Sequence, residues 1–156
     1  MWNKMLKANI KKTRWALSVL VFGVIAGVAG LYYHHTAVPK VPYVDLAGKS
    51  LHLEIVSTAS AQERGLGGRS SLGQNEAMLF EFSSDETHCF WMKDMRFPID
   101  MLWIDAEHRV VHIERAVAPN TYPKAFCPDS PSTAVLETNA NISRDMRVGD
   151  RIAVHK

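Results

Sequence analysis

Lys93, Asp94, Arg96 and Asp100 lie inside FWMKDMRFPIDMLWID, residues 90–105, beside two tryptophans, three methionines and two phenylalanines. A charge left unpaired among such side chains costs on the order of several kcal/mol. Lys93 and Asp100 must therefore find partners or open onto water. Opposite charges are available within the same domain in Arg64, Arg69 and Glu137. Two arrangements satisfy this requirement. One is an internal ion-pair network that fixes strand register. The other is a pocket in which Arg64, Lys93 and Asp100 meet a small polar or anionic ligand between walls supplied by Trp91 and Met92. The Lys93 stem can lie along Trp91 with its ammonium over a ring. A third chemistry is hydrolysis by Asp100 and Glu137 as paired carboxylates, which must open into one cleft roughly 5–9.5 Å apart.

Other residue types carry weaker signals. Cys89 and Cys127 are an even pair, which in an oxidising compartment favours one disulfide. Two buried thiols, or a metal pair with histidines, are the alternatives, but no histidine stands at a metal-ligand spacing from either cysteine. His52, His108 and His112 fall on the polar sides of strands and read as solvated. RGLGGR, residues 64–69, lacks the strand–loop–helix context of a phosphate-binding loop and reads as a helix end. Met92, Met95 and Met101 read as core filler rather than copper ligands. No metal site and no cofactor is expected.

The elements that would hold these residues begin with an apolar run. Trp15 to Tyr33 carries no charge over 19 residues, and as a helix it would span roughly 28 Å, about one bilayer core. Residues 1–14 form a basic tail with Lys4, Lys7, Lys11, Lys12 and Arg14 and no acid, which predicts a cytoplasmic N-terminus and an extracytoplasmic domain. A cleaved signal peptide is the competing reading, with Gly27 and Ala29 before the cut. The length of the run and its closing Tyr32–Tyr33 favour an uncleaved anchor. Beyond Tyr33, 13 basic residues face 16 acidic ones, so the domain is mildly acidic and a poor nucleic-acid binder. The expected partners are the membrane, through residues 15–33, and a small polar or anionic ligand or an envelope protein.

Residues 34–42, with Pro39 and Pro42, read as a stiff stalk, and the domain follows over 43–156. SLHLEIV alternates apolar and polar as a half-buried strand, and STASAQERGLGG reads as one short helix. AMLFEF, HCFWMKDM, IDMLWID, RVVHIERAV, TAVLETNA and DRIAVHK read as further strands, with a Pro-punctuated loop before TAVLETNA. In IDMLWID both faces are apolar, which predicts a central strand covered on both sides. The strand parity of HCFWMKDM predicts the same cover for residues 90–95. No βαβ rhythm is visible. The expected fold is mainly β, a compact antiparallel barrel-like or sandwich domain with one short helix.

QERGLGGRSSL, AMLFEF, FWMKDMRFPIDMLWID, TAVLETNA and VGDRI, in this order over roughly Leu51 to Val154, resemble the DUF192 family, a widespread prokaryotic domain of unknown function. Phe-Trp-Met-Lys followed by Pro-x-Asp is the specific part. The resemblance implies a small, mainly β domain, often exported, and no established activity, substrate or cofactor. The chain departs from the family pattern at three places. Asp94–Met95 stands for a common Asn-Thr and alters the charge within the signature, Ala77 stands for a Gly, and Asn141 for another Gly. Asn141 is expected to adopt the left-handed conformation that Gly would take. The leading functional reading is a membrane-anchored, non-enzymatic binding module of the cell envelope, and the alternative is an envelope-acting hydrolase using Asp100 and Glu137.

Overall fold

Alternation of Leu51 and Leu53 against His52 and Glu54 makes a strand with one buried face, and the structure builds it as β2, Lys49–Val56. A type of turn that favours positive φ, at Ala47–Gly48, joins it to β1, Tyr43–Leu46, a strand the patterning did not indicate. The computed structural model describes residues 40–156 and, ahead of them, Gly23 and Val24 alone. The expected tail and membrane helix, and the stalk up to residue 39, otherwise lie outside the described residues. Among the described residues no helix is long and apolar enough to cross a membrane. Lys40–Lys156 forms one compact unit.

After β2 comes helix α1, Ala59–Arg64. Thr58 caps it by accepting a hydrogen bond from the Ala61 amide at 3.4 Å, and Gly65, at φ 50°, ends it. The remaining strands are β3 (Glu76–Glu86), β4 (Phe90–Trp91), β5 (Ile99–Ile104), β6 (Val110–Val117), β7 (Ala125–Phe126), β8 (Ser132–Asn139) and β9 (Ala153–His155). One 3-10 turn, Pro119–Thr121, and β7 both fall inside the stretch read as a loop.

Seven strands form one curled sheet in the order β6-β5-β8-β3-β2-β1-β9, and β4 pairs with β7 in a separate two-stranded ribbon. The sheet is not wholly antiparallel as expected. β2 and β3 run parallel, with His52 opposite Glu76 and Val56 opposite Phe80, so β2–α1–β3 is a βαβ crossover. The six-residue helix is too short to leave a helical period in the sequence. At one end the two outer strands approach each other. Arg109 bridges Arg151, and Ile152 donates to the His108 carbonyl at 2.9 Å. The sheet therefore curls to a half-barrel rather than closing along its length.

Both faces of this sheet are covered. All six residues of β5 are buried, as its unbroken apolar character requires. Leu102 and Ile104 pack with Leu51, Leu53, Leu79 and Leu136 on one face. Ile99, Met101 and Trp103 pack with Met78, Phe80, Leu66 and Phe126 on the other, beneath α1 and the β4–β7 ribbon. Each such side chain contributes about 1.5–3 kcal/mol on burial. The expectation for residues 90–95 was wrong. Strand geometry stops at Trp91, and Lys93–Asp94 forms a turn in which Asp94 has φ 58° and the Met95 amide donates to the Met92 carbonyl. The parity that placed Lys93 on a doubly covered strand fails there, and its charge is exposed to water.

Candidate functional site

Local packing at the end of α1 brings two distant charges together. The chain leaves the helix through Gly65, Leu66, Gly67 and Gly68, and the Gly68 amide donates to the Asp94 carbonyl at 2.9 Å. A Cβ at Gly67 would sit 2.9 Å from the Arg64 carbonyl oxygen and 3.3 Å from that of Lys93. The absence of a side chain thus lets the helix end abut the 93–94 turn. Arg64 and Lys93 consequently flank one opening. Among the described residues neither side chain forms an ion pair or a side-chain hydrogen bond.

Behind them lies a cavity of about 340 Å³, lined by Arg64, Lys93, Trp91 and Glu137 together with Phe80, Phe82 and Phe90. Phe80 and Phe82 come from β3 and Phe90 from β4. Phe90 stands edge-on to Phe80, with centroids 4.8 Å apart at 88°. Trp91 is 53% exposed and meets Tyr122 edge-on at 6.3 Å. A broader cleft of about 660 Å³, reaching Ser60, Asp94 and Arg96, shares Arg64 and Lys93 with this cavity. The two cations therefore stand on the divide between an aromatic chamber and open polar surface.

Glu137 closes the chamber from below. It lies on β8 opposite Met78 of β3 and Met101 of β5, so its cross-strand neighbours offer no hydrogen bond. It is 5% exposed, and among the described residues its Oε2 has no hydrogen-bond partner. Burial pushes its carboxyl up to about 8, and the charge of Arg69 offsets only part of that rise. At neutral pH Glu137 is therefore a carboxylic acid with a proton to donate. Arg69 itself is engaged by Glu54 in a two-pronged pair, with both N–O distances 2.8 Å. That hydrogen bond holds the Glu54 carboxyl below the usual carboxylate range.

Two residues expected at this site lie elsewhere. Met92 is buried in the core and does not line the chamber. Asp100 sits opposite Thr138, whereas Glu137 sits opposite Met101. Successive residues of a strand alternate in face, so Asp100 and Glu137 point to opposite sides of the sheet. They do not form the carboxylate pair that hydrolysis would need. Nor does Asp100 seek a cation. Its Oδ1 accepts from the amides of Ala116 at 2.8 Å and Asn141 at 3.0 Å. Its Oδ2 accepts from the amide and hydroxyl of Ser143 at 2.9 and 2.8 Å. Ala116 and Asn141 both have positive φ, the left-handed geometry expected at Asn141. Asp100 is thus a buried tie between the end of β6 and the 140–146 turn, with no oxygen left for a ligand.

Cys89 and Cys127 are joined in a disulfide with a Cα–Cα distance of 4.3 Å. Cys89 precedes Phe90, Cys127 follows Phe126, and these two phenylalanines are register partners of β4 and β7. The crosslink therefore fastens the ribbon that carries Phe90 and Trp91. Sequence reasoning missed Phe80, Phe82 and Phe90 as chamber walls. Phe80 and Phe82 share one parity of AMLFEF, the face of Met78, which was the available signal.

Two solved structures have the same fold. One is a protein of unknown function from Novosphingobium aromaticivorans DSM 12444, at TM-score 0.66 and 25% identity, matching 72% of this chain and 83% of that one. The other, from Sinorhizobium meliloti 1021, is described as a candidate transcription regulator. Its TM-score is 0.66 and its identity 26%, over 72% of this chain and 91% of that one. A comparison with curated proteins finds no match. The model of the DUF192 family, described as an uncharacterized ACR, matches residues 43–154, and the chain belongs to that family.

Proposed function

We propose that the chain is a membrane-anchored, extracytoplasmic binding module, non-enzymatic, that takes a small anionic ligand into the aromatic chamber above Glu137. The uncharged run Trp15–Tyr33 behind a basic tail supports the anchor and its orientation, and the disulfide fits an oxidising compartment. A single observation carries the binding reading: a buried carboxyl with an unpartnered oxygen lines the same chamber as Arg64 and Lys93. A buried polar atom without a partner costs about 1–3 kcal/mol, and a ligand that satisfies it recovers that cost. Convergent polar groups in an apolar concavity are the usual form of a small-molecule site.

Titration calorimetry on the full chain in nonionic detergent tests this, with acetate and benzoate as probes and acetamide and benzamide as neutral controls. Saturable binding of at least one anion is expected, weakened tenfold or more in the double variant Arg64→Gln/Lys93→Gln. Binding that ignores those substitutions, or no saturable binding of either anion, would refute the reading.

A further inference from the structure

The chamber's composition restricts what the ligand can be. Its volume of about 340 Å³ lies at the small end of the roughly 300–1,000 Å³ typical of ligand clefts, enough for one ring and its substituents. Phe80, Phe82, Phe90 and Trp91 supply aromatic surface on several sides. Flat unsaturated bodies pack against such surfaces in offset or edge-on geometry. The polar groups are segregated by depth. Arg64 and Lys93 are exposed at the mouth, and Glu137 is buried at the base.

Resting on the binding reading above, we infer that the ligand is a planar, single-ring carboxylate carrying an uncharged hydrogen-bond acceptor at the end opposite its carboxylate. The carboxylate lies at the mouth between Arg64 and Lys93, the ring lies among the phenylalanines, and the acceptor receives a hydrogen bond from the Glu137 carboxyl at the base. The reverse orientation would place an anion against the buried Glu137, where the cation that acts, Arg69, is already paired with Glu54, and burying a charge with so little compensation is costly.

The recognition is proton-gated. Met78 and Met101 flank Glu137 from β3 and β5. The titratable groups sharing its cavity are Glu63 and Arg64 of α1, His88 ahead of β4, and Lys93 of the turn, and Arg69 is the cation acting on it. Once Glu137 loses its proton it can no longer donate, and a carboxylate faces the ligand's acceptor.

The test uses the full chain in nonionic detergent and four probes. 4-Acetylbenzoate has the ring, the carboxylate and the acceptor. 4-Isopropylbenzoate lacks the acceptor, 4-acetylbenzamide lacks the anion, and acetate lacks the ring. The expected result is that 4-acetylbenzoate binds at least tenfold more tightly than each of the others. Its affinity should fall about tenfold per pH unit above about 8. Glu137→Gln, which keeps an N–H donor, should retain the binding and lose that pH dependence. Glu137→Leu should erase the preference over 4-isopropylbenzoate. Acetate binding as tightly as 4-acetylbenzoate would overturn the ligand class while leaving an anion site. Equal binding of the two benzoates would overturn the role of Glu137. Failure of every probe would overturn both this inference and the binding reading.

Discussion

Asp100 and Glu137 are two buried carboxyls on neighbouring central strands, and they meet opposite environments. Asp100, fully buried, accepts four hydrogen bonds from three amides and a hydroxyl. Glu137, on the other face, has an oxygen with no hydrogen-bond partner among the described residues and an acidity weakened by burial. The pair separates two uses of a polar atom in a core. A fully satisfied carboxylate organises backbone that nothing else holds. A half-satisfied carboxyl group costs stability, and such costs concentrate where a protein binds something.

The largest expected difference is in stability. Asp100→Ala leaves three backbone donors and the Ser143 hydroxyl without their acceptor, two of those donors on residues of positive φ. It should cost about 3–5 kcal/mol, read by urea denaturation at neutral pH. A loss under about 1 kcal/mol would mean that the 140–146 turn holds itself.

Glu137→Gln should act in the other direction, and in a pH-dependent way. The folded carboxyl keeps its proton up to about 8, whereas the unfolded one releases it near 4.5. Across that window the unfolded state binds fewer protons, so this group's contribution to stability falls as pH rises, by about 1.4 kcal/mol per unit. Below the window it costs nothing, and above it the loss is constant. The Gln variant should therefore gain on the parent chain steadily from pH 5 to pH 8, by roughly 3 kcal/mol at pH 7. Parallel stability curves for the two proteins would refute the assignment.

Arg69→Met is the smallest perturbation. The Arg69–Glu54 pair is about half exposed, with side chains 37% and 51% accessible, so its loss should cost under about 1 kcal/mol. The same change removes the one cation opposing the burial of Glu137, and the carboxyl should titrate still higher. An unchanged or lowered titration of Glu137 would show that Arg69 does not act on it.

How legible this was differs between the carboxyls as well. The double burial of β5 was visible because Ile99, Met101 and Trp103 are apolar at one parity and Leu102 and Ile104 at the other. The disulfide was visible from two cysteines in a segment read as exported. Asp100 was misread because its partners are backbone amides 16 to 43 residues away, and an amide has no signature in a sequence. The turn at Lys93–Asp94 was hidden because aromatic and methionine residues on both sides extend the apolar run through it. Arg64, Trp91, Lys93 and Glu137 could be named as chemistry-bearing residues. The chamber they share could not, since its walls come from β3 and from a ribbon whose second strand, β7, lies in a stretch punctuated by prolines.

Everything proposed for the chamber turns on Glu137 standing as a neutral acid at its base at physiological pH. Carbon-13 NMR of glutamate side-chain carboxyls in the full chain, titrated from pH 3 to pH 10, measures this directly, with Glu137→Gln identifying the signal. One glutamate carboxyl should titrate with a midpoint of about 8 and be absent from the variant. A Glu137 signal that titrates near the ordinary 4.5 would contradict it.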